Sequence, residues 1–148
     1  MTDKQITKLF PLNPFIDLCT VNEDGVPEAR AMLNLRNAEI CPHLKNKFKD
    51  GDNIFYFTTN EHSAKMKQIK KNKKASVYMF DADTFEGVLL LGGIEEETDK
   101  VVKDSFWHDS WKMYYPDGKD SKDYCILRFT PKTYKYYDGK FNVKTGRF

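Results

Sequence analysis

The sequence has few cysteines, no long apolar run and little net charge. Its three cysteines, Cys19, Cys41 and Cys125, are widely scattered without CxxC spacing, which argues against a disulfide framework and a zinc knuckle. The longest apolar stretch, residues 87–94, is far shorter than the roughly 20 residues of a membrane-spanning helix. The N-terminus also lacks the pattern of a signal peptide. We therefore expect a cytoplasmic protein with reduced thiols and no membrane partner.

Arginine and excess positive charge are scarce as well. The chain has 24 basic and 22 acidic side chains, a net charge of +2, and twenty of the basic residues are lysines. Nucleic-acid-binding domains usually carry a larger basic excess. Six lysines do cluster between residues 65 and 74, but no aromatic stacking residues are interleaved with them, so RNA binding is a poor second interpretation. We expect no nucleic-acid partner.

The residues that are present predict one β-rich domain over residues 1–148. Aromatic residues form 14% of the chain and lie mostly in segments typical of strands. The patterns predict strands over 15–21, 28–36, 54–59, 75–82, 87–96 and 124–137, and a final hairpin across Asp138-Gly139. They predict helices over 64–71 and about 99–107, and one helical turn after Pro42. Because regular βαβ alternation is absent, we predict a mostly β, antiparallel barrel with two or three short helices.

Two of the predicted strands have informative details. In the second strand, alternation divides the side chains between a predicted core face, with Ala29, Ala31, Leu33 and Leu35, and a predicted polar face, with Arg30, Met32, Asn34 and Arg36. In the fifth strand, Gly92-Gly93 interrupts the pattern, as expected at a bulge or a barrel corner.

The junction between the third strand and the following helix predicts an anion site. Backbone N–H groups at a helix start attract an anion, and Ser63 is the predicted N-cap. The hydroxyls of Thr59 and Ser63 can donate to the anion, and Lys65 in the first turn supplies positive charge. A Ser cap with a nearby lysine is also common at ordinary helix starts, which is the alternative interpretation.

Arg30 on the neighbouring strand strengthens the phosphate interpretation. A guanidinium beside small and apolar residues is well suited to bidentate phosphate contact. The alternative is a surface salt bridge between Arg30 and Glu28 or Glu61.

Three segments together resemble the pyridoxamine 5'-phosphate oxidase-like split-barrel flavoproteins. They are LCTVNEDGVPEARAM at residues 18–32, FYFTT at 55–59 and SAKMKQI at 63–69. Residues 107–118 and 131–139 are similar to the general stress protein branch of that superfamily. The resemblance implies an FMN-binding split β-barrel that acts as a homodimer with the cofactor at the subunit interface.

The resemblance also implies a set of site residues. In that family, the strand that matches Arg30, Ala31, Met32 and Leu33 contacts the phosphate and the flavin edge, the segment that matches Thr58 and Thr59 lies along the cofactor, and Ser63 and Lys65 match phosphate ligands. Trp111 lies in a loop that, by similarity, reaches the flavin of the partner subunit. Ala64 stands where many members have a second basic residue, and the chain lacks the C-terminal Arg-x-His substrate motif. Vitamin B6 oxidation is therefore not expected.

The expected function is an FMN-dependent oxidoreductase that takes electrons from a reduced nicotinamide and passes them to a small electrophilic or quinone-like acceptor. The alternative is a non-catalytic, stress-related flavin carrier or sensor. Related barrels also bind haem or a deazaflavin. Cys41-Pro42-His43 offers only two neighbouring metal donors, so no metal site is predicted. We expect His62 to face water, and His108 to be a packing residue more readily than a general base.

Overall fold

The computed structural model describes residues 1–148, and antiparallel strands dominate it. The strands are β1 (Phe15–Val21), β2 (Pro27–Leu33), β3 (Phe55–Asn60), β4 (Lys74–Phe80), β5 (Glu86–Glu97), β6 (Tyr124–Asp138) and β7 (Val143–Arg147). The α-helices are α1 (Asp3–Thr7), α2 (Ala64–Lys71) and α3 (Lys100–Phe106), and short 3-10 helices span Pro42–Leu44 and Asp109–Met113. The predicted mostly β fold with two or three short helices is confirmed. None of these helices has the length and apolar character needed to cross a bilayer.

The seven strands form one sheet that does not close. Their order is β2-β1-β4-β5-β6-β3, and every pair is antiparallel. The long strand β6 pairs with β3 through its first half and with β7 through its second half. The predicted split barrel is therefore confirmed, and β2 and β3 are the two edge strands that end the main path of the sheet.

A bulge between β5 and β6 bends the sheet where the glycine pair predicted an interruption. The register shifts between Leu91 and Gly92, so that Leu91 pairs with Thr133 and Gly92 with Pro131. A Cβ atom on Gly92 would lie 2.1 Å from the carbonyl oxygen of Thr130. Only glycine allows the two backbones to approach this closely.

Two apolar clusters lie on opposite faces of β3. The larger cluster of 19 buried residues includes Phe55 and Phe57 of this strand. The smaller cluster contains Phe106, Trp111, Tyr115 and Tyr124, with Tyr56 of β3 packed against it. The third strand therefore carries apolar side chains on both faces.

The prediction that Ala29 and Ala31 face the core and Met32 the polar side is wrong, whereas Leu35, just beyond β2, is buried as predicted. Met32 belongs to the larger core cluster, whereas Ala29 and Ala31, predicted to face the core, are exposed. Because β2 is an edge strand, the sheet alternation alone does not decide which of its faces the core covers. Arg30 shares the inner face with Met32 because its long stem can be buried while the charged end reaches polar partners.

The second strand is also shorter than predicted, ending at Leu33 rather than Arg36. Leu33 pairs with Phe15, the first residue of β1, and beyond this pair the N–H of Asn34 still donates to the carbonyl of Pro14 at 3.0 Å. The amide of Asn34 donates to the carbonyls of Phe10 and Asn13, both at 2.7 Å, and turns the chain away from the sheet.

The sequence analysis did not predict α1. Thr2 and Gln5 cap this helix reciprocally in a capping box. Ile6 and Phe10, in and just after the helix, are fully buried in the larger core. The N-terminal segment therefore contributes to the larger core cluster.

Candidate functional site

A cleft of about 300 Å³ opens between the two edge strands β2 and β3. Its walls are formed by Ala31, Met32 and Leu33 of β2, by Thr58, Thr59 and Asn60 of β3, and by Lys65, Trp111, Tyr114 and Tyr115. Seven of the nine predicted site residues are among them, and Ser63 and Arg30 are not. The opening of the barrel is thus where sequence-distant residues with the predicted chemistry meet.

Hydroxyl groups and an ammonium group form one end of the cleft. Nζ of Lys65 donates to the hydroxyl of the buried Thr59 at 3.0 Å. The Oγ of Ser63 lies 3.1 Å from the same hydroxyl and accepts a hydrogen bond from the backbone N–H of Met66 at 3.4 Å. Ser63 is therefore the N-cap of α2, as predicted, and it contacts the cleft through Thr59.

Lys65 is half-buried, unlike the other lysines of α2, which are exposed. Burial lowers its pKa below the usual value, and the nearby charge of Arg30 lowers it further. No carboxylate lies within 4 Å of its ammonium group. A half-buried cation of this kind favours a bound anion, because an anion would compensate both effects.

Arg30 lies behind the polar end of the cleft rather than in its wall. Its Nη1 donates to the hydroxyl of Thr20 at 2.6 Å and to the carbonyl of Leu18 at 3.3 Å, and its Nη2 donates to Oε1 of Gln68 at 3.3 Å. The alternative of a salt bridge to Glu28 or Glu61 is wrong, since Arg30 has no carboxylate partner. Two neighbouring cations, Arg30 and Lys65, therefore share a region without a counter-charge.

Aromatic side chains form the other end of the cleft. Trp111 is buried within its own chain, with its ring 5.4 Å from that of His43 and 6.2 Å from that of Tyr124. Sequence analysis missed Tyr114 and Tyr115, although the aromatic density of residues 107–118 was a signal for them. Tyr115 is buried, and burial raises the pKa of its hydroxyl to about 12.

The cysteines and histidines lie outside the cleft. Burial is the main cause that raises the pKa of both Cys41 and Cys125 to about 11. These two thiols are therefore poor nucleophiles at neutral pH. His62 is exposed, as predicted. The ring of His108 is tilted by 32° against that of His43, with centroids 4.7 Å apart, and its Nδ1 lies 2.7 Å from the hydroxyl of Ser110. The cleft therefore offers binding groups and no cysteine or histidine nucleophile. One end suits an anion and the other a flat apolar group.

Comparison with known structures shows the same fold over the whole chain. A protein from Clostridium acetobutylicum related to general stress protein 26 of the pyridoxinephosphate oxidase family is 28% identical, with a TM-score of 0.79, and the match covers 100% of this chain and 97% of that one. General stress protein 26 from Bacillus anthracis str. Sterne is 21% identical, with a TM-score of 0.74 and coverage of 99% and 98%. The second likeness establishes the fold alone.

A third similar structure is a pyridoxamine 5'-phosphate oxidase-related, FMN binding protein from Nostoc punctiforme PCC 73102. It is 13% identical, with a TM-score of 0.66, and the match covers 99% of this chain and 91% of that one. At this identity the similarity again concerns the fold. No curated protein sequence matches the chain.

The sequence comparison identifies the family directly. Residues 22–146 match the family described as pyridoxamine 5'-phosphate oxidase like. This range contains both edge strands, the helix start at Ser63 and the aromatic segment around Trp111, which are the parts that build the cleft. The chain therefore belongs to the pyridoxamine 5'-phosphate oxidase-like family.

Proposed function

We propose that the protein binds FMN in the cleft between β2 and β3 and is an FMN-dependent oxidoreductase, passing electrons from a reduced nicotinamide to a small electrophilic or quinone-like acceptor. The observation that carries this proposal is the pair of cations Lys65 and Arg30, which lie close together without a carboxylate partner. Unpaired, partly buried cations are costly unless an anion joins them.

The phosphate of FMN matches this end of the cleft. A phosphate monoester carries about −1.5 to −2 charges at neutral pH and accepts several strong hydrogen bonds. Lys65 and Arg30 supply the positive charge, and the hydroxyl of Thr59 lies between Lys65 and the N-cap Ser63. The first turn of α2 adds backbone N–H groups and the positive end of the helix dipole.

The flavin ring matches the other end. Met32 and Leu33 of β2 and the ring of Trp111 supply the apolar and aromatic surface that a flat heterocycle requires. When bound, FMN supplies hydride and single-electron transfer. The residues of this chain hold the cofactor, orient it and exclude water from its buried side.

The titratable groups of the cleft favour acceptors that need no protein acid. Apart from Lys65, only the hydroxyls of Tyr114 and Tyr115 are titratable there. With a pKa of about 12, Tyr115 stays protonated at neutral pH and is a weak proton donor. Quinone-like acceptors, whose reduced oxygens take protons from solvent, fit such a site.

A second copy of the chain is part of this proposal. The cleft volume of about 300 Å³ is at the lower end of the roughly 300–1,000 Å³ of typical ligand sites, and Ala29 and Ala31 on the outer face of β2 are exposed. A partner subunit that packs on this edge of the sheet would cover both the exposed alanines of β2 and the open side of the cofactor. Sedimentation velocity with and without FMN tests this, and a monomer that still binds FMN at full affinity would contradict it.

The proposed cofactor is tested first by the visible spectrum of protein purified without added cofactor. We expect the absorption bands of an oxidised flavin, release of FMN on denaturation, and an increase in the melting temperature when FMN is added back to the apoprotein. A haem or deazaflavin spectrum would replace FMN as the cofactor. A colourless protein that takes up no FMN would remove the proposal.

The cleft is lined by no cysteine, histidine or carboxylate, which also favours a second candidate, a non-catalytic flavin carrier or sensor. Anaerobic stopped-flow mixing of the FMN-loaded protein with NADH or NADPH separates the two. Reduction of the bound flavin, followed by rapid reoxidation by a quinone, supports the oxidoreductase. Bound flavin that is reduced no faster than free FMN supports the carrier.

A further inference from the structure

Arg36 is a second half-buried cation, on the segment that follows β2 and outside the flavin cleft. Its guanidinium carbon lies 4.5 Å from the ring centroid of Phe48, 5.0 Å from that of Phe55 and 5.5 Å from that of Phe10. One nitrogen, Nη2, donates to the carbonyl of Ile54 at 2.6 Å. Another, Nε, is buried and has no hydrogen-bond partner.

The charge of Arg36 is not paired within the chain. No carboxylate lies within 4 Å of the guanidinium. Burial lowers the pKa of Arg36 to about 10, although the charge of Asp52 acts in the opposite direction. Charges that are withdrawn from water in proteins are normally paired or bound to an ion, so this arrangement favours the binding of an anion.

Arg36 lines a cavity of about 290 Å³ whose wall is strongly basic. The other lining residues include Lys8, Lys45, Lys49, Asp50 and Gly51. The cavity wall thus contains four cationic side chains and one carboxylate, that of Asp50. The carboxylate of Asp52, which is not in the wall, accepts a hydrogen bond from the backbone N–H of Lys49 at 2.9 Å. The cavity shares no lining residue with the cleft between β2 and β3.

We propose that this cavity is a second ligand site, which binds the phosphate group of a small molecule through Arg36, Lys45 and Lys49. A doubly charged oxyanion suits it better than a carboxylate, because several cations converge there and a phosphate accepts hydrogen bonds from all of them. The exposed stems of Lys45 and Lys49 leave the cavity accessible from solvent. The proposal does not depend on flavin binding.

The probe that tests it is inorganic phosphate, added to the ¹⁵N-labelled full-length chain at pH 8 and constant ionic strength. Because NMR reports each backbone amide separately, phosphate in this cavity is distinguished from phosphate at Lys65 in the flavin cleft. We expect saturable shifts of the amides of Lys49, Gly51 and their neighbours, and no comparable shifts with acetate. Shifts that do not saturate, or that spread evenly over surface lysines, would overturn the proposal.

Two matched double variants identify the residues involved. Lys45→Ala with Lys49→Ala should weaken phosphate binding at the cavity about tenfold or more, on the scale of lost charge-assisted hydrogen bonds. Lys70→Ala with Lys74→Ala removes the same charge from exposed positions outside the cavity and should leave the affinity unchanged. Equal affinities in the two double variants would contradict the site.

Arg36→Met is the direct test of the guanidinium's role. Methionine keeps the apolar contacts with the phenylalanine rings but removes the charge, so phosphate shifts in this cavity should be lost. If this variant does not fold, the two lysine variants decide the question, since all four of their positions are exposed.

Discussion

The ammonium group of Lys65 donates a hydrogen bond to the hydroxyl of Thr59 at 3.0 Å. Thr59 is the last buried residue of β3, and Lys65 lies in the first turn of α2, so the contact joins the two elements across the helix start. It also holds the lysine against the cleft wall instead of in solvent, where the other lysines of α2 lie. This fixed cation is the basis of the first predictions.

Replacing Lys65 by alanine should weaken FMN binding about tenfold to a hundredfold. A hydrogen bond to a charged group contributes about 1.5–3 kcal/mol, which corresponds to this range. Quenching of FMN fluorescence during titration of the apoprotein measures the effect. Lys67→Ala is the matched control, because Lys67 is an exposed lysine of the same helix. If both variants bind FMN equally well, the phosphate is bound elsewhere.

Replacing Arg30 by alanine should also weaken FMN binding by about 1.5–3 kcal/mol. Because Arg30 and Lys65 are proposed to act on one phosphate, the double variant should lose a different amount from the sum of the single losses. Arg30 also binds Thr20 and Gln68, so melting curves of the apoprotein must accompany the titrations.

Thr20→Val provides the control for this structural role of Arg30. It removes the hydroxyl that accepts from Nη1 of Arg30 but leaves the guanidinium charge in place. We expect a loss of stability with a much smaller loss of FMN affinity than in Arg30→Ala. An affinity loss as large in Thr20→Val would show that Arg30 acts only by holding the local structure.

The lowered pKa of Lys65 predicts a pH dependence of cofactor binding. Burial, and then the charge of Arg30, favour the neutral amine in the apoprotein, whereas a bound phosphate favours the charged form. FMN affinity should therefore fall as the pH rises through the lowered pKa, below the usual lysine range. The contribution of Lys65 to the stability of the apoprotein should change in the opposite direction. Because the unfolded state binds the proton of Lys65 more tightly than the folded state does, this contribution increases as the pH rises.

Titrations of FMN at several pH values between neutral and about 10 test this dependence, with the upper limit set by the reference pKa of lysine. Lys65→Met is the informative comparison because it keeps most of the side-chain stem without a titratable group. Its affinity should be lower and should lack the wild-type decline. An identical decline in Lys65→Met would assign the pH dependence to another group.

Elements with strong local signals could be predicted from the sequence. The range of α2 was predicted correctly because Ser63 marks its start and Met66 and Ile69 form its buried stripe. The bulge at Gly92 was predicted because two adjacent glycines interrupt a strand pattern. In the site, the hydroxyl and lysine groups were predicted because helix-start chemistry is also local.

Features that depend on distant packing could not be predicted. The inner face of β2 is decided by which side of this edge strand the core covers, and the sequence of β2 does not contain that information. The same holds for Arg36, which was predicted on a polar strand face but is half-buried, against Phe10, Phe48 and Phe55. Tyr115 enters the cleft because the segment after α3 folds back over β3, which only the tertiary structure reveals.

The bulge between β5 and β6 gives a test of the fold that is independent of any ligand. Gly92→Ala should destabilise the protein by about 1–3 kcal/mol, on the scale of overpacking, because the new Cβ would lie 2.1 Å from the backbone oxygen of Thr130. Gly93→Ala is the matched control, since the nearest atom to its Cβ, the carbonyl oxygen of Lys73, is 3.6 Å away. Urea unfolding of the two variants and the wild type measures the difference. Comparable stabilities for the two variants would mean that β5 and β6 are not this close at Gly92.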